Sequence, residues 1–131
     1  MLAGLVAGLL AAEVSLRMLK GAPGANNHHR VFCAWDPDVG WILKPNTRHS
    51  RQTSEYNHVE TTNALGMRDV PRRLDPPTGV ARILLLGDSF IEGYSVRDDE
   101  TVSQRTEALL REQGLAVEVL NGGVGGYSTD Q

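Results

Sequence analysis

The sequence predicts an α/β fold organised round a parallel sheet, and three stretches carry that prediction. Residues 81–87 (ARILLLG) run apolar without alternation and end in Gly-Asp-Ser, the pattern of a strand buried on both faces of a parallel sheet. Val102, Thr106, Leu109, Leu110 and Gln113 recur at helical spacing and define one apolar helix face. Residues 116–121 (AVEVLN) form a second strand run. Strand, helix and strand in that order make a βαβ unit, with parallel strands and a right-handed crossover. Asp98, Asp99 and Glu100 open the helix as caps and dipole partners, and Gly114 stops it.

The chain has 131 residues, about one domain on a prior of ~100–200 residues per domain. Its net charge of −3 excludes a nucleic-acid binder that works by bulk positive charge. The one cysteine, Cys33, can make no internal disulfide and no cysteine-based zinc site. Neither a metal nor a cofactor is therefore expected. Residues 1–75 hold nine Lys/Arg against seven Asp/Glu, and residues 76–131 hold four against nine. Arg48, Arg51, Arg68, Arg72 and Arg73 are scattered, and such charges read as solvated surface rather than a site.

Taken in order, residues 1–20 predict an apolar helix. Leu2–Ala12 is uncharged, and Glu13, Arg17 and Lys20 follow. Eleven apolar residues fall short of the about 20 that span a bilayer. A span requires Glu13 and Arg17 to snorkel at the interface. Membrane anchor, signal peptide and buried helix all stay open. Arg17 and Lys20 follow the apolar run, so the positive-inside rule would hold the rest of the chain in the cytoplasm.

Residues 21–80 read as linker and an irregular or β extension. Residues 21–30 (GAPGANNHHR) are rich in breakers. His28 and His29 are adjacent, so they point apart, and a solvated linker is favoured over a metal site. Asp36, Pro37, Asp38 and Gly40 favour a turn, and Trp41–Leu43 a short strand. Trp35 and Trp41 read as packing anchors rather than a sugar platform. Residues 47–63 alternate loosely and suit a hairpin or a draped loop. Residues 68–79 (RDVPRRLDPPTG) are a second linker with little to bury.

The chemistry is expected at the carboxyl ends of the strands, where ligands bind in open α/β sheets. Ser89 follows the first strand, which brings its hydroxyl to the sheet rim and its N–H to the start of the next segment. Residues 121–129 follow the second strand, and glycine there lets a backbone N–H approach the same point. Ser89 as a plain helix N-cap is the structural alternative. Gly123-Val124-Gly125 begins like a dinucleotide loop, but Ser128 stands where the third glycine belongs.

GDSF (87–90) after ILLL, followed by NGGVGGYST (121–129), resembles the first two blocks of the SGNH, or GDSL, hydrolase family. DPDVGWILKPN (36–46) and TNALGMRD (62–69), behind the apolar helix, look like the extension of bacterial membrane-anchored members. The resemblance implies a three-layer α/β/α, flavodoxin-like domain starting at residues 81–131. It implies Ser89 as nucleophile and oxyanion donor, the N–H of Gly126 as second donor, and Asp88 and Asn121 as structural residues. Phe90 stands where leucine is typical, and no Gly-x-Ser-x-Gly elbow is present.

The resemblance also implies a small-molecule or glycan acyl ester as substrate and no cofactor. It implies a membrane anchor with the catalytic domain in the periplasm or outside the cell. The family's third block supplies an Asn, and its last block an Asp and a His, which the resemblance puts after Gln131. His28, His29, His49 and His58 all precede Ser89. The chain is thus expected to be the N-terminal part of a longer product, inactive alone for want of a base and marginally stable with two core strands. Acyl transfer to an envelope glycan and a non-catalytic interaction module are the rival functions.

Overall fold

Every sheet in the described residues is a pair of strands. The computed structural model describes residues 2–20 and 31–131. The linker at 21–30, with His28 and His29, lies outside them. In order the elements are α1 (Leu2–Lys20), β1 (Cys33–Asp36), β2 (Gly40–Leu43), β3 (Arg48–Gln52), β4 (Asn57–Thr61) and β5 (Ala81–Gly87). Then come α2 (Ser89–Glu92), a 3-10 turn (Asp98–Glu100), α3 (Val102–Glu112) and β6 (Val117–Gly123). β5 and β6 pair in parallel from Ala81 opposite Val117 to Gly87 opposite Gly123. The fold is mixed α/β and includes a parallel pair.

Two antiparallel hairpins precede that pair. Between β1 and β2, Asp36 Oδ1 accepts the N–H groups of Asp38 and Val39 at 3.0 and 3.1 Å. Gly40 takes a φ of 87°, and so the Asp-Pro-Asp turn closes. β1 itself was not legible in the sequence. β3 and β4 pair from Arg48 opposite Thr61 to Gln52 opposite Asn57, so residues 47–63 are a hairpin rather than a draped loop.

Burial departs from expectation in three places. β5 is not buried on both faces: Ile83 and Leu84 are exposed, and Leu86 is 73% exposed. β5 has one hydrogen-bonded neighbour, so its second edge meets no strand among the described residues. β6 is the buried strand, with Val117, Val119, Leu120 and Asn121 inside.

The buried face of α3 is also not the apolar one. Val102 is exposed and Leu109 is 59% exposed, whereas Ser103 and Glu107 are buried. The cause is an ion pair. Glu107 Oε2 accepts the Val119 N–H at 2.7 Å and binds Arg72 at 2.6 Å. A buried carboxylate needs such partners, and these fix the helix rotation. Burial is the largest single influence and works to raise the Glu107 pKa, but the hydrogen bonds from Arg72 and the Val119 N–H and the charges of Arg72 and Arg111 together outweigh it, and the net shift is down. The helix start differs as well. Asp98–Glu100 form a separate 3-10 turn, and Thr101 caps α3, its hydroxyl accepting the Gln104 N–H.

Third, the arginines and the 68–79 linker are not merely solvated. Arg51 and Arg68 are buried, and so is the side chain of Arg72. Arg51 meets Glu60 through two bonds of 2.6 and 3.0 Å, and its guanidinium lies 3.5 Å from the centre of the Tyr94 ring. Burial is the largest single influence and opposes the Arg51 charge, but the hydrogen bond and charge of Glu60 together with Tyr94 outweigh it, and its pKa is raised. Arg68 bridges Asp98 at 3.0 Å and the carbonyls of Glu92, Gly93 and Val96. Arg48 and Arg73 are exposed, as expected.

In α1, Leu2, Leu5, Leu9, Leu10, Val14 and Met18 are all exposed, so apolar groups surround the helix. Glu13 pairs with Arg17 at 2.7 Å. Among the described residues no helix is long and apolar enough to cross a membrane.

Candidate active site

β5 delivers Gly87, Asp88 and Ser89 to the carboxyl end of the parallel pair. Gly87 is small because Ile91 of α2 folds back over it; a Cβ there would meet Ile91 Cγ1 at 2.5 Å. Asp88, not Ser89, is the helix N-cap: its Oδ1 accepts the Phe90 N–H at 2.9 Å. Ser89 is the first residue of α2 and is half-buried. Its carbonyl accepts the N–H groups of Gly93 and Tyr94, both at 3.0 Å. Its hydroxyl makes no hydrogen bond among the described residues, so it is left available for chemistry.

β6 runs into a turn at residues 124–127 that four side chains and strands hold. Asn121, fully buried, accepts the Gly123 N–H on Oδ1 at 3.0 Å and donates from Nδ2 to the Glu92 carbonyl at 3.4 Å. The Val124 N–H donates to the Gly87 carbonyl at 3.0 Å, extending the ladder one residue past β5 and β6. The Gly125 N–H donates to Glu92 Oε2, and the Tyr127 N–H to the Val124 carbonyl at 3.1 Å. From Gly123 to Ser128, only the Gly126 N–H has no acceptor among the described residues.

No protein-family model matches this sequence, and no curated protein matches it. The site therefore rests on its own geometry.

That geometry joins some of the expected residues and separates others. Ser89 Cβ lies 3.9 Å from where a Gly125 Cβ would sit, so the serine faces the glycine turn. Asp88, Leu86, Gly122, Tyr127 and Thr129 line a cleft of about 500 Å³ beside that turn. Ser89 lines a neighbouring hollow of about 360 Å³ with Phe90 and Tyr94. Gly126, at φ 85°, touches Trp41 and borders neither. Ser89 and Gly126 thus flank one turn but share no cavity.

His58 is buried with Nε2 3.2 Å from Glu60 Oε1, and no histidine among the described residues bonds Ser89. No group of metal-ligating residues is present among the described residues.

Three site residues were not legible in the sequence. Glu92, three residues after Ser89, reaches across to accept the Gly125 N–H. Trp41 donates from Nε1 to the Gly125 carbonyl at 3.0 Å. Tyr127 donates from its hydroxyl to the Trp41 carbonyl at 2.5 Å. Trp41 is therefore a packing anchor as expected, but Trp35, opposite it in the hairpin, is 79% exposed among the described residues. Antiparallel partners project to the same face, and Trp41 already fills the space against the turn.

Proposed function

We propose that this chain carries the nucleophile and part of the oxyanion hole of an SGNH-type serine ester hydrolase, in a three-layer α/β/α parallel-sheet domain. One observation carries the reading. The unbonded hydroxyl of Ser89 follows β5, and the one unpartnered amide of the turn after β6 belongs to Gly126. Two strand ends thus supply a nucleophile and a donor to one rim, where α/β sheets place their chemistry.

In this mechanism Ser89 Oγ attacks the acyl carbonyl carbon and its proton passes to a base. The carbonyl oxygen takes the negative charge between the N–H groups of Ser89 and Gly126. The alcohol leaves with a proton from that base, and water then releases the acid from the acyl-serine. Asp88 and Asn121 hold the two loops. In the family that this reading invokes the base is a histidine, a role that no histidine bonded to Ser89 fills among the described residues. No cofactor takes part in this chemistry.

In the full-length gene product, Ser89→Ala should lower turnover of a small p-nitrophenyl ester by about 10³-fold or more. Unchanged turnover with native circular dichroism would remove Ser89 from the mechanism.

The exposed indole of Trp35 favours a second reading, acyl transfer to a glycan, because an aromatic face stacks on a sugar ring. Adding an oligosaccharide acceptor to the same assay separates the two. Transfer that outcompetes hydrolysis, and is lost in Trp35→Ala, establishes the transferase.

We further propose that α1 holds the protein on a membrane. Its 19 residues extend about 28 Å at ~1.5 Å per residue, and apolar side chains face outward all round. Such a helix gains by leaving water for the lipid interface. Co-sedimentation with phosphatidylglycerol vesicles should be lost on removing residues 1–20, and retention would refute the role. Attachment with the domain in the periplasm or outside the cell completes the reading. Protease accessibility in intact cells tests that side.

A further inference from the structure

We propose that Trp41, on the hairpin far upstream of the nucleophile, is a positioning residue that fixes the direction of the Gly126 amide hydrogen. The inference rests on the reading above, in which that hydrogen meets the oxyanion.

The argument begins with the turn. Residues 124–127 close with the Tyr127 N–H on the Val124 carbonyl at 3.1 Å. The second central residue, Gly126, has a φ of 85°, and Gly125 is not in the positive region. That is the type II signature. Types I and II differ by a rotation of about 180° in the central peptide plane. Here the central peptide joins Gly125 to Gly126, and no Cβ on either side resists its rotation.

A trans peptide points its carbonyl and its N–H in opposite directions. Whatever holds the Gly125 carbonyl therefore aims the Gly126 N–H. The holder is Trp41 Nε1, at 3.0 Å from that carbonyl. The indole is itself braced. Its ring packs edge-on against Tyr127 with centroids 5.9 Å apart, and the Tyr127 hydroxyl bonds the Trp41 carbonyl at 2.5 Å. The ring also lies where a Cβ on Gly126 would meet Cζ2 at 3.1 Å, so it walls the back of the peptide. The opposite side, toward which the amide hydrogen points, has no acceptor among the described residues.

A flipped turn would present a carbonyl oxygen where the donor belongs, which repels the developing charge. Losing one oxyanion donor costs about 10²–10³ in kcat. Partial flipping costs a fraction of that and leaves ground-state binding alone.

The test uses the full-length gene product with glycine labelled in carbon-13 and nitrogen-15. Within residues 1–131, only Gly122–Gly123 and Gly125–Gly126 are adjacent glycine pairs, so two carbonyl–amide correlations report this region. Trp41→Phe removes the donor and keeps a ring. Site-specific replacement of the Trp41 indole by benzothiophene, which has the same shape and no N–H, serves if Trp41→Phe misfolds.

The expected result is exchange broadening at Gly125–Gly126 with Gly122–Gly123 unchanged. With it, kcat for the p-nitrophenyl ester falls about tenfold or more while KM stays within twofold. An unchanged Gly125–Gly126 signal overturns the lock. Broadening with unchanged kcat, in a protein that Ser89→Ala inactivates, overturns the positioning role and leaves the serine mechanism standing. Equal turnover in wild type and Ser89→Ala defeats the serine mechanism first, and the Trp41 proposal with it.

Discussion

Arg68→Ala should cost the fold about 3–5 kcal/mol, the price of stripping one partner from a buried charged network. Arg68 is 1% exposed. Its guanidinium serves Asp98 and the carbonyls of Glu92, Gly93 and Val96, and lies 4.0 Å from Glu60. Truncation leaves those oxygens facing a void, and unsatisfied buried acceptors cost more than the bond was worth. Arg68→Lys should recover little, because one ammonium cannot reach acceptors spread round a planar fork. Chemical denaturation of each variant measures the loss. A shift below about 1 kcal/mol, the range of exposed ion pairs, would show that the network is not what holds α2 in place.

Gly123→Ala should be comparably severe, at about 3 kcal/mol, the upper range for overpacking. A Cβ at 123 would lie 2.1 Å from Glu92 N and 2.6 Å from Ile91 C. Both are backbone atoms, so relief requires β6 and α2 to separate. That separation moves Ser89 away from the turn, so the ester turnover proposed for Ser89 should fall together with stability. Gly114→Ala is the control. Gly114, unlike Gly123, has a positive φ, 83°, but nothing lies within 4 Å of its added Cβ. It should cost only about 1 kcal/mol of backbone strain. Equal losses at the two positions, read from thermal melts, would mean that the close approach of β6 to α2 is not the cause.

Local pattern made the parallel pair legible. Ile83–Leu86 and residues 117–120 are β-rich runs ended by turn residues, and the helix between them is amphipathic and capped. The same local reading failed on the face of α3, because Glu107 is called inward by Arg72, thirty-five residues earlier. The arginines failed for a related reason. Arg51, Arg68 and Arg72 look dispersed along the chain, and nothing in their spacing shows that folding gathers them against carboxylates. At the candidate site, Asp88, Ser89 and Asn121 stand in short motifs. Trp41 and Glu92 reach the glycine turn from elements whose docking no motif encodes.

The ion pairs also bear on where this polypeptide can be cut. Residues 81–131 alone carry nine Asp/Glu against four Lys/Arg, an excess of five negative charges. Glu107 and Asp98 find cations in Arg72 and Arg68, both upstream of that cut. Expression boundaries drawn at the sequence motif would isolate a self-repelling polyanion. Arg68 and Arg72 are therefore built-in counterions for the half that bears the serine.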